Sequence, residues 1–245
     1  MQELAYVGVR PERDAADAEY ASFCSAMGLA PEELSRIDLV QAPLSDHDLQ
    51  RHRGFVVGGS PFNVADADVS DLQRRVEHDL ERIAERALDA ATTAMFTCYG
   101  IGVLTRMLGG QVVRDFPEPA SAATVTVTPN AAIDPVFGPA GPSFLAFTAH
   151  KEAAAAAPAG AVPLATNDAC PVQAYRVGDT VYATQFHPEV TPADFAHRMT
   201  FYRSTGYFDP AQFEAVRSRV VAAAVSEPVR LLHRFARLPI TAASL

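Results

Sequence analysis

The segment AMFTCYGIGVLTRMLGG, residues 94–110, decides the fold. Ala94-Met95-Phe96-Thr97 reads as a short buried strand. Cys98 follows at once, and a helical stretch then runs to Gly109-Gly110. A strand that turns straight into a helix is a building unit of an α/β sheet. A cysteine at that corner is presented above the sheet, near the partial positive charge of a helix N-terminus, which favours a thiolate. Gly100 and Gly102 keep the tight corner free of side chains. The Tyr99 N–H is free to point at a developing oxyanion. The same residues also fit a buried core cysteine beside a glycine-containing turn.

Outward from this corner, short apolar runs alternate with amphipathic stretches, the rhythm of a parallel or mixed sheet flanked by helices. Toward the N-terminus, strands are expected at Leu4–Val9, Ile37–Val40 and Gly54–Val57, and helices at Ala15–Met27 and Leu72–Ala90. In the last of these Leu72, Val76, Leu80, Ile83 and Leu88 recur at helical spacing. Asp68 or Ser70 would cap it. Toward the C-terminus, strands are expected at 112–113, 124–128, 144–148, 162–165, 172–177 and 181–185. Gly178-Asp179 would turn the last two into a hairpin. The tail from Thr191 to Arg237 reads as helical, broken at Asp209-Pro210. Nothing forces a domain boundary, and one domain over residues 1–245 is expected.

The chain has 29 acidic and 20 basic residues and a net charge of -9, with no basic block. A nucleic-acid or anionic-membrane surface is therefore not expected, and a small-molecule substrate or protein partner fits better. Met1-Gln2-Glu3-Leu4 does not read as a signal peptide, and no run approaches the ~18 apolar residues of a membrane helix. Three scattered cysteines make neither a disulfide framework nor a metal signature. No Cys/His spacing suggests zinc and no loop ends in Lys-Ser or Lys-Thr, so neither metal nor cofactor is expected. The protein reads as cytoplasmic.

Two further stretches carry chemistry. Gln185-Phe186-His187-Pro188-Glu189 follows a strand, where His187 could take the Cys98 proton and Glu189 could orient the imidazole, the nucleophile–base–orienter logic of a triad. It also fits a surface turn with a glutamate at a helix start. Gly58-Gly59-Ser60-Pro61 ends another strand, and paired glycines let backbone N–H groups approach a ligand, although a plain loop has the same composition. His47, His52 and His78 lie in charged contexts and read as solvated. Cys24 and Cys170 read as structural thiols, and Lys151-Glu152 as a surface pair.

Taken together, the Gly58-Gly59 turn, the Cys98-Tyr99-Gly100 elbow and the Gln185–Glu189 block resemble the class I, triad, glutamine amidotransferases. Cys98 and His187 are 89 positions apart (187 − 98), which suits that family. The resemblance extends to Thr148-Ala149-His150-Lys151-Glu152 and Pro171–Ala174, and is closest to stand-alone members similar to the amidotransferase domain of GMP synthase. It implies an open, mixed, mostly parallel flavodoxin-like sheet flanked by helices. It also implies a Cys98–His187–Glu189 triad that releases ammonia and glutamate from glutamine through a thioester. Gly59 and Tyr99 would supply oxyanion N–H groups. Gly58, Gly102, Ala149 and His150 would line the substrate site. A separate synthetase partner would receive the ammonia, and a homo-oligomer is compatible with the resemblance. The resemblance departs at two positions. Phe96 stands where the family usually has glycine, and Gly102 where it usually has a substrate-holding glutamine. The second departure leaves room for a larger γ-glutamyl compound, or for a binding or regulatory module with weak turnover.

Overall fold

The computed structural model describes residues 4–89 and 92–238. Met1–Glu3, read above for a signal peptide, and Ala90, the expected helix end, lie outside that range. Strand β1 (Leu4–Gly8) is buried at all five residues, as a strand with helices on both faces must be. Helix α1 (Arg13–Met27) follows and stops at Gly28, whose φ of 66° is the left-handed conformation glycine adopts without strain. Strand β2 (Leu34–Asp38) pairs with β1 from Leu4↔Leu34 to Gly8↔Asp38. It begins three residues before the expected strand because Leu34 supplies its buried anchor. As an edge strand it otherwise reads Ser-Arg-Ile-Asp, with little apolar signal.

Helix α2 (Asp46–Arg51) and strand β3 (Gly54–Val57) lead to helix α3 (Asp71–Leu88). Ser70 caps α3, its Oγ accepting from the Gln73 N–H at 3.1 Å. Strand β4 (Thr93–Thr97) then runs into helix α4 (Tyr99–Met107). Beyond α4 lie strands β5 (Val112–Val113), β6 (Glu118–Val127), β7 (Ser143–His150), β8 (Ala153–Ala154), β9 (Val162–Thr166), β10 (Ala174–Val177) and β11 (Val181–Thr184). Helices α5 (Pro192–Phe201), α6 (Phe213–Ala222) and α7 (Glu227–Phe235) complete the chain. Thr191 and Asp194 form a reciprocal capping box at the start of α5.

Nine strands form one mixed sheet in the order β2-β1-β3-β4-β11-β10-β9-β6-β7. The five from β2 to β11 are mutually parallel, and β10, β9, β6 and β7 continue antiparallel. The β10–β11 hairpin turns through Gly178 at φ 56°. One face packs under α1 and α7 through Phe23, Met27, Leu231 and Phe235. The other packs under α3 and α4 through Val76, Leu80, Ile83 and Leu104. A third cluster joins α5 and α6 to β6 and β7. Among the described residues no helix is long and apolar enough to cross a membrane.

Two sequence readings are corrected here. His52 is buried, its ring edge-on to Phe55 at 5.8 Å, because α2 folds it back over the sheet. Glu152 is also buried and accepts from the Val64 and Ala65 N–H groups at 2.6 and 2.9 Å, so Lys151-Glu152 is not a surface pair. His47 and His78 are exposed, as read.

Candidate active site

Parallel strands leave a crevice beyond their carboxyl ends, where ligands bind in open α/β sheets. Four loops enter it here. Arg10 follows β1, Gly58-Gly59 follow β3, Cys98 follows β4 and His187 follows β11. Register explains how distant positions meet. Thr97 pairs with Thr184 across β4 and β11, and the Cys98 N–H donates to the Thr184 carbonyl at 2.8 Å. The nucleophile and the candidate base therefore leave neighbouring strands at the same level. A Cβ built on Gly59 would lie 3.0 Å from His187 Cε1 and 3.6 Å from Cys98 Cβ, so the two side chains flank one point.

Cys98 is the one non-glycine residue with positive φ among those described, at φ 50° and ψ −101°. Such a conformation costs about 1–3 kcal/mol and persists only where the surroundings enforce it. β4 is locked between β3 and β11, and α4 starts at the next residue. At Gly100 a Cβ would lie 3.0 Å from Phe96 Cβ, a close approach that glycine avoids. Phe96 is fully buried, so this departure from the usual glycine is a packing change. The Tyr99 N–H, in the first turn of α4, has no backbone acceptor among the described residues.

The His187 ring is buried and lies beside Cys98, the two flanking the position a Cβ on Gly59 would take. Its Nδ1 lies 3.0 Å from Glu189 Oε1. Burial opposes a charge on the imidazole, but Glu189 and then Cys98 outweigh it and raise the His187 pKa to about 9. Burial likewise opposes charge on Glu189, and Arg198 followed by His187 reverses this, holding the carboxyl well below the usual range. Arg198, from α5, reaches Glu189 Oε1 at 2.5 Å, His187 Nδ1 at 3.1 Å and Glu19 Oε1 at 3.5 Å.

Glu19 is the unannounced residue of the site. Fully buried on α1, it accepts from Tyr6, from Arg10 at 2.8 Å and from the Gly59 N–H at 3.1 Å. The expected Gly59 oxyanion donor is thus committed to a carboxylate, since a buried charge gathers every donor in reach. The Gly58 N–H is taken by the Val7 carbonyl at 3.0 Å. Both glycines are needed for space. A Cβ on Gly58 would overlap the Glu19 carboxylate, and one on Gly59 would sit 2.8 Å from Arg10. Neither Glu19 nor Arg198 carried a sequence signal, because each lies in an ordinary amphipathic helix.

Two pockets open beside Cys98. One is lined by Tyr99, Gly102, Ala149, His150, Glu152 and Gln185, among others. A Cβ on Gly102 would meet Val64 at 3.1 Å and Glu152 Oε1 at 3.7 Å, so these two fill the room of the family's glutamine. The His150 ring is already tied, to Glu118 at 2.7 Å and to the Glu152 carbonyl at 3.0 Å. The other pocket lies on the His187 side, walled by Phe195, Met199, Tyr202, Tyr207 and Phe208. Tyr207 lines both pockets.

Two groups could in principle hold a metal ion, Glu118–His150–Cys170 and Glu19–His187–Glu189. Among the described residues, Glu118, His150, Glu19 and Glu189 Oε1 already pair with one another or with Arg10, Arg198, Asn167 and Gln173. Burial also pushes the Cys170 thiol up to about 11, and the Cys24 thiol upward, so both stay protonated and unreactive near neutral pH.

An α/β sheet with a strained cysteine elbow and a buried histidine–carboxylate pair at its carboxyl edge brings together the residue types that nucleophile–base chemistry uses. The family model for class I glutamine amidotransferases matches residues 34–204, and the chain belongs to that family. It is 25% identical over 191 residues to a glutamine-hydrolysing GMP synthase from a Nitratiruptor species, covering 73% of this chain and 35% of that protein. It is 27% identical to gamma-glutamyl peptidase 3 of Arabidopsis thaliana, covering 68% of this chain and 67% of the peptidase. The chain thus spans about a third of the GMP synthase but most of the peptidase. The crystal structure of a glutamine amidotransferase from Thermotoga maritima superposes with a TM-score of 0.73 over 97% of this chain and 100% of that one, at 15% identity, which speaks to fold alone.

Proposed function

We propose that the protein hydrolyses the side-chain amide of glutamine or of a γ-glutamyl compound through a Cys98 thioester. The Cys98 sulfur attacks the amide carbon and His187, charged by Glu189, gives its proton to the departing nitrogen. Water, deprotonated by His187, then releases glutamate. Tyr99 supplies an oxyanion donor, and Gly59 a second once Glu19 yields its N–H. The observation that carries this reading is the place of His187, beside Cys98 at the Gly59 turn on one side and 3.0 Å from Glu189 on the other.

The test is ammonia release from glutamine with mass spectrometry of quenched enzyme. A glutamyl adduct on the Cys98 peptide, absent in Cys98→Ala together with turnover, is expected. Undiminished turnover in Cys98→Ala would sink the proposal. Likeness to GMP synthases supports a separate synthetase as ammonia acceptor. Adding a candidate synthetase should then raise glutamine turnover.

A second reading, a regulatory module with slow turnover, is favoured by one observation, the Gly59 N–H held by Glu19. Retention of the full biological effect in Cys98→Ala would establish it.

A further inference from the structure

The two pockets at the nucleophile are chemically unlike, and each has a defined place in the reaction. They share Ser60, Cys98, Ala149 and Tyr207. His187 belongs to only one of them. In amide cleavage the leaving nitrogen must face the group that protonates it, so whatever that nitrogen carries lies in the His187 pocket. Ammonia carries nothing. The pocket nevertheless has an apolar wall made by Phe195 and Met199 on α5, with Tyr202, Tyr207 and Phe208 beyond it. Room for the centre of a water molecule amounts to about 40 Å³, against roughly 10–15 Å³ needed for one water. That is a narrow slot with space for several atoms more than ammonia.

Charge narrows the choice. The cations lining the slot are Arg10, Arg198 and the charged His187. Arg10 is paired with Glu19 at 2.8 Å, and Arg198 with Glu189 at 2.5 Å and Glu19 at 3.5 Å. Both guanidinium groups are engaged by buried carboxylates and the His187 imidazolium is itself paired with Glu189, so among the described residues no unpaired cation on this wall is offered to a carboxylate on the leaving group. An amino acid or peptide as the departing amine does not match this wall.

We propose that the slot is a leaving-group subsite, and that the preferred substrate is a γ-glutamyl secondary amide of an uncharged, apolar amine, aromatic or short aliphatic. This deepens the reading of Cys98 as the thioester-forming nucleophile and rests on it. In the step itself the Cys98 sulfur bonds to the amide carbon. The carbon–nitrogen bond breaks with its electron pair going to nitrogen, which takes the His187 proton and leaves as the free amine. Water then cleaves the thioester to glutamate. Atoms and charge balance without a co-reactant.

The test compares kcat/KM for L-γ-glutamyl-p-nitroanilide, L-γ-glutamyl-n-butylamide, γ-glutamylglycine and glutamine, with mass spectrometry of the Cys98 peptide for each. The anilide and butylamide are expected to exceed glutamine and γ-glutamylglycine by tenfold or more. An apolar contact in such a pocket discriminates by roughly 10- to 200-fold. Phe208→Ala, at a half-buried loop position, should therefore lower the anilide-to-glutamine ratio about tenfold, and Ala120→Leu, which narrows the slot, should lower it further. If glutamine acylates Cys98 and outpaces both apolar amides, or if neither variant moves the ratio, the subsite is refuted while the thioester chemistry stands. If no substrate acylates Cys98, both fall together.

Discussion

His187 sits between two groups that pull its charge in one direction and a burial that pulls it in the other. Glu189 and Cys98 win, and the imidazole titrates near 9 rather than near 6.5. A folded pKa raised in this way contributes stability that is complete below about 6.5 and is lost as pH rises through about 9. In the proposed mechanism this proton goes to the leaving nitrogen, so kcat/KM for amide hydrolysis is expected to fall on the alkaline side with a midpoint near 9. Glu189→Gln removes the largest favourable influence on that charge. Its alkaline limb should move to lower pH and its rate should drop, with His187→Ala losing more, on the order of 10²–10⁴-fold. A pH–rate profile of the Glu189→Gln variant that overlays the wild-type profile would exclude this coupling. The candidate residues Cys98, His187 and Glu189 stood out in the sequence because Cys-Tyr-Gly and His-Pro-Glu are local patterns. Glu19, Arg10 and Arg198 were not, since a helical glutamate and two arginines look like solvated charges until three elements bring them together.

At the scale of the element, legibility followed burial pattern. α3 was readable because Val76, Leu80 and Ile83 repeat on one face over five turns. β1 and β3 were readable as unbroken apolar runs. β2 was misplaced because an edge strand needs few buried residues, and the two-residue Ala153–Ala154 strand is too short to leave a pattern. Glu152 was misread because adjacent charges suggest solvent, whereas the turn after β7 points one of them inward to two backbone N–H groups. The cap of α3 allows a clean test of element energetics. Ser70 satisfies one of the orphan N–H groups of its first turn, that of Gln73. Ser70→Ala should destabilise the fold by about 1 kcal/mol, within a usual span of roughly 0.5–2. In urea unfolding the midpoint should fall with the slope unchanged. A midpoint equal to wild type would show that water caps the helix as well as serine does.

The whole molecule joins its C-terminal helices to the candidate active-site edge through an aromatic stack. Phe195 of α5 lies on Phe147 of β7 with ring centroids 4.6 Å apart and planes at 11°. The Phe147 carbonyl accepts the His187 N–H at 3.0 Å, and the His187 ring lies 6.1 Å from Phe195. Three residues along α5, Arg198 grips Glu189. Thus the helix that steadies the antiparallel half of the sheet also sets the base and its orienter. Removing the ring should show in two measurements at once. Phe195→Ala creates a cavity in a buried cluster and is expected to cost about 3–5 kcal/mol in chemical denaturation. Far below its unfolding midpoint it should also lose turnover, because α5 no longer holds Arg198 against Glu189 at the distance a positioned catalytic group needs. Val220→Ala, in the same cluster but on α6, supplies the comparison. It should lower stability while kcat/KM stays near wild type. If Phe195→Ala keeps full turnover while folded, α5 is a passive support and the catalytic edge is set by β4 and β11 alone.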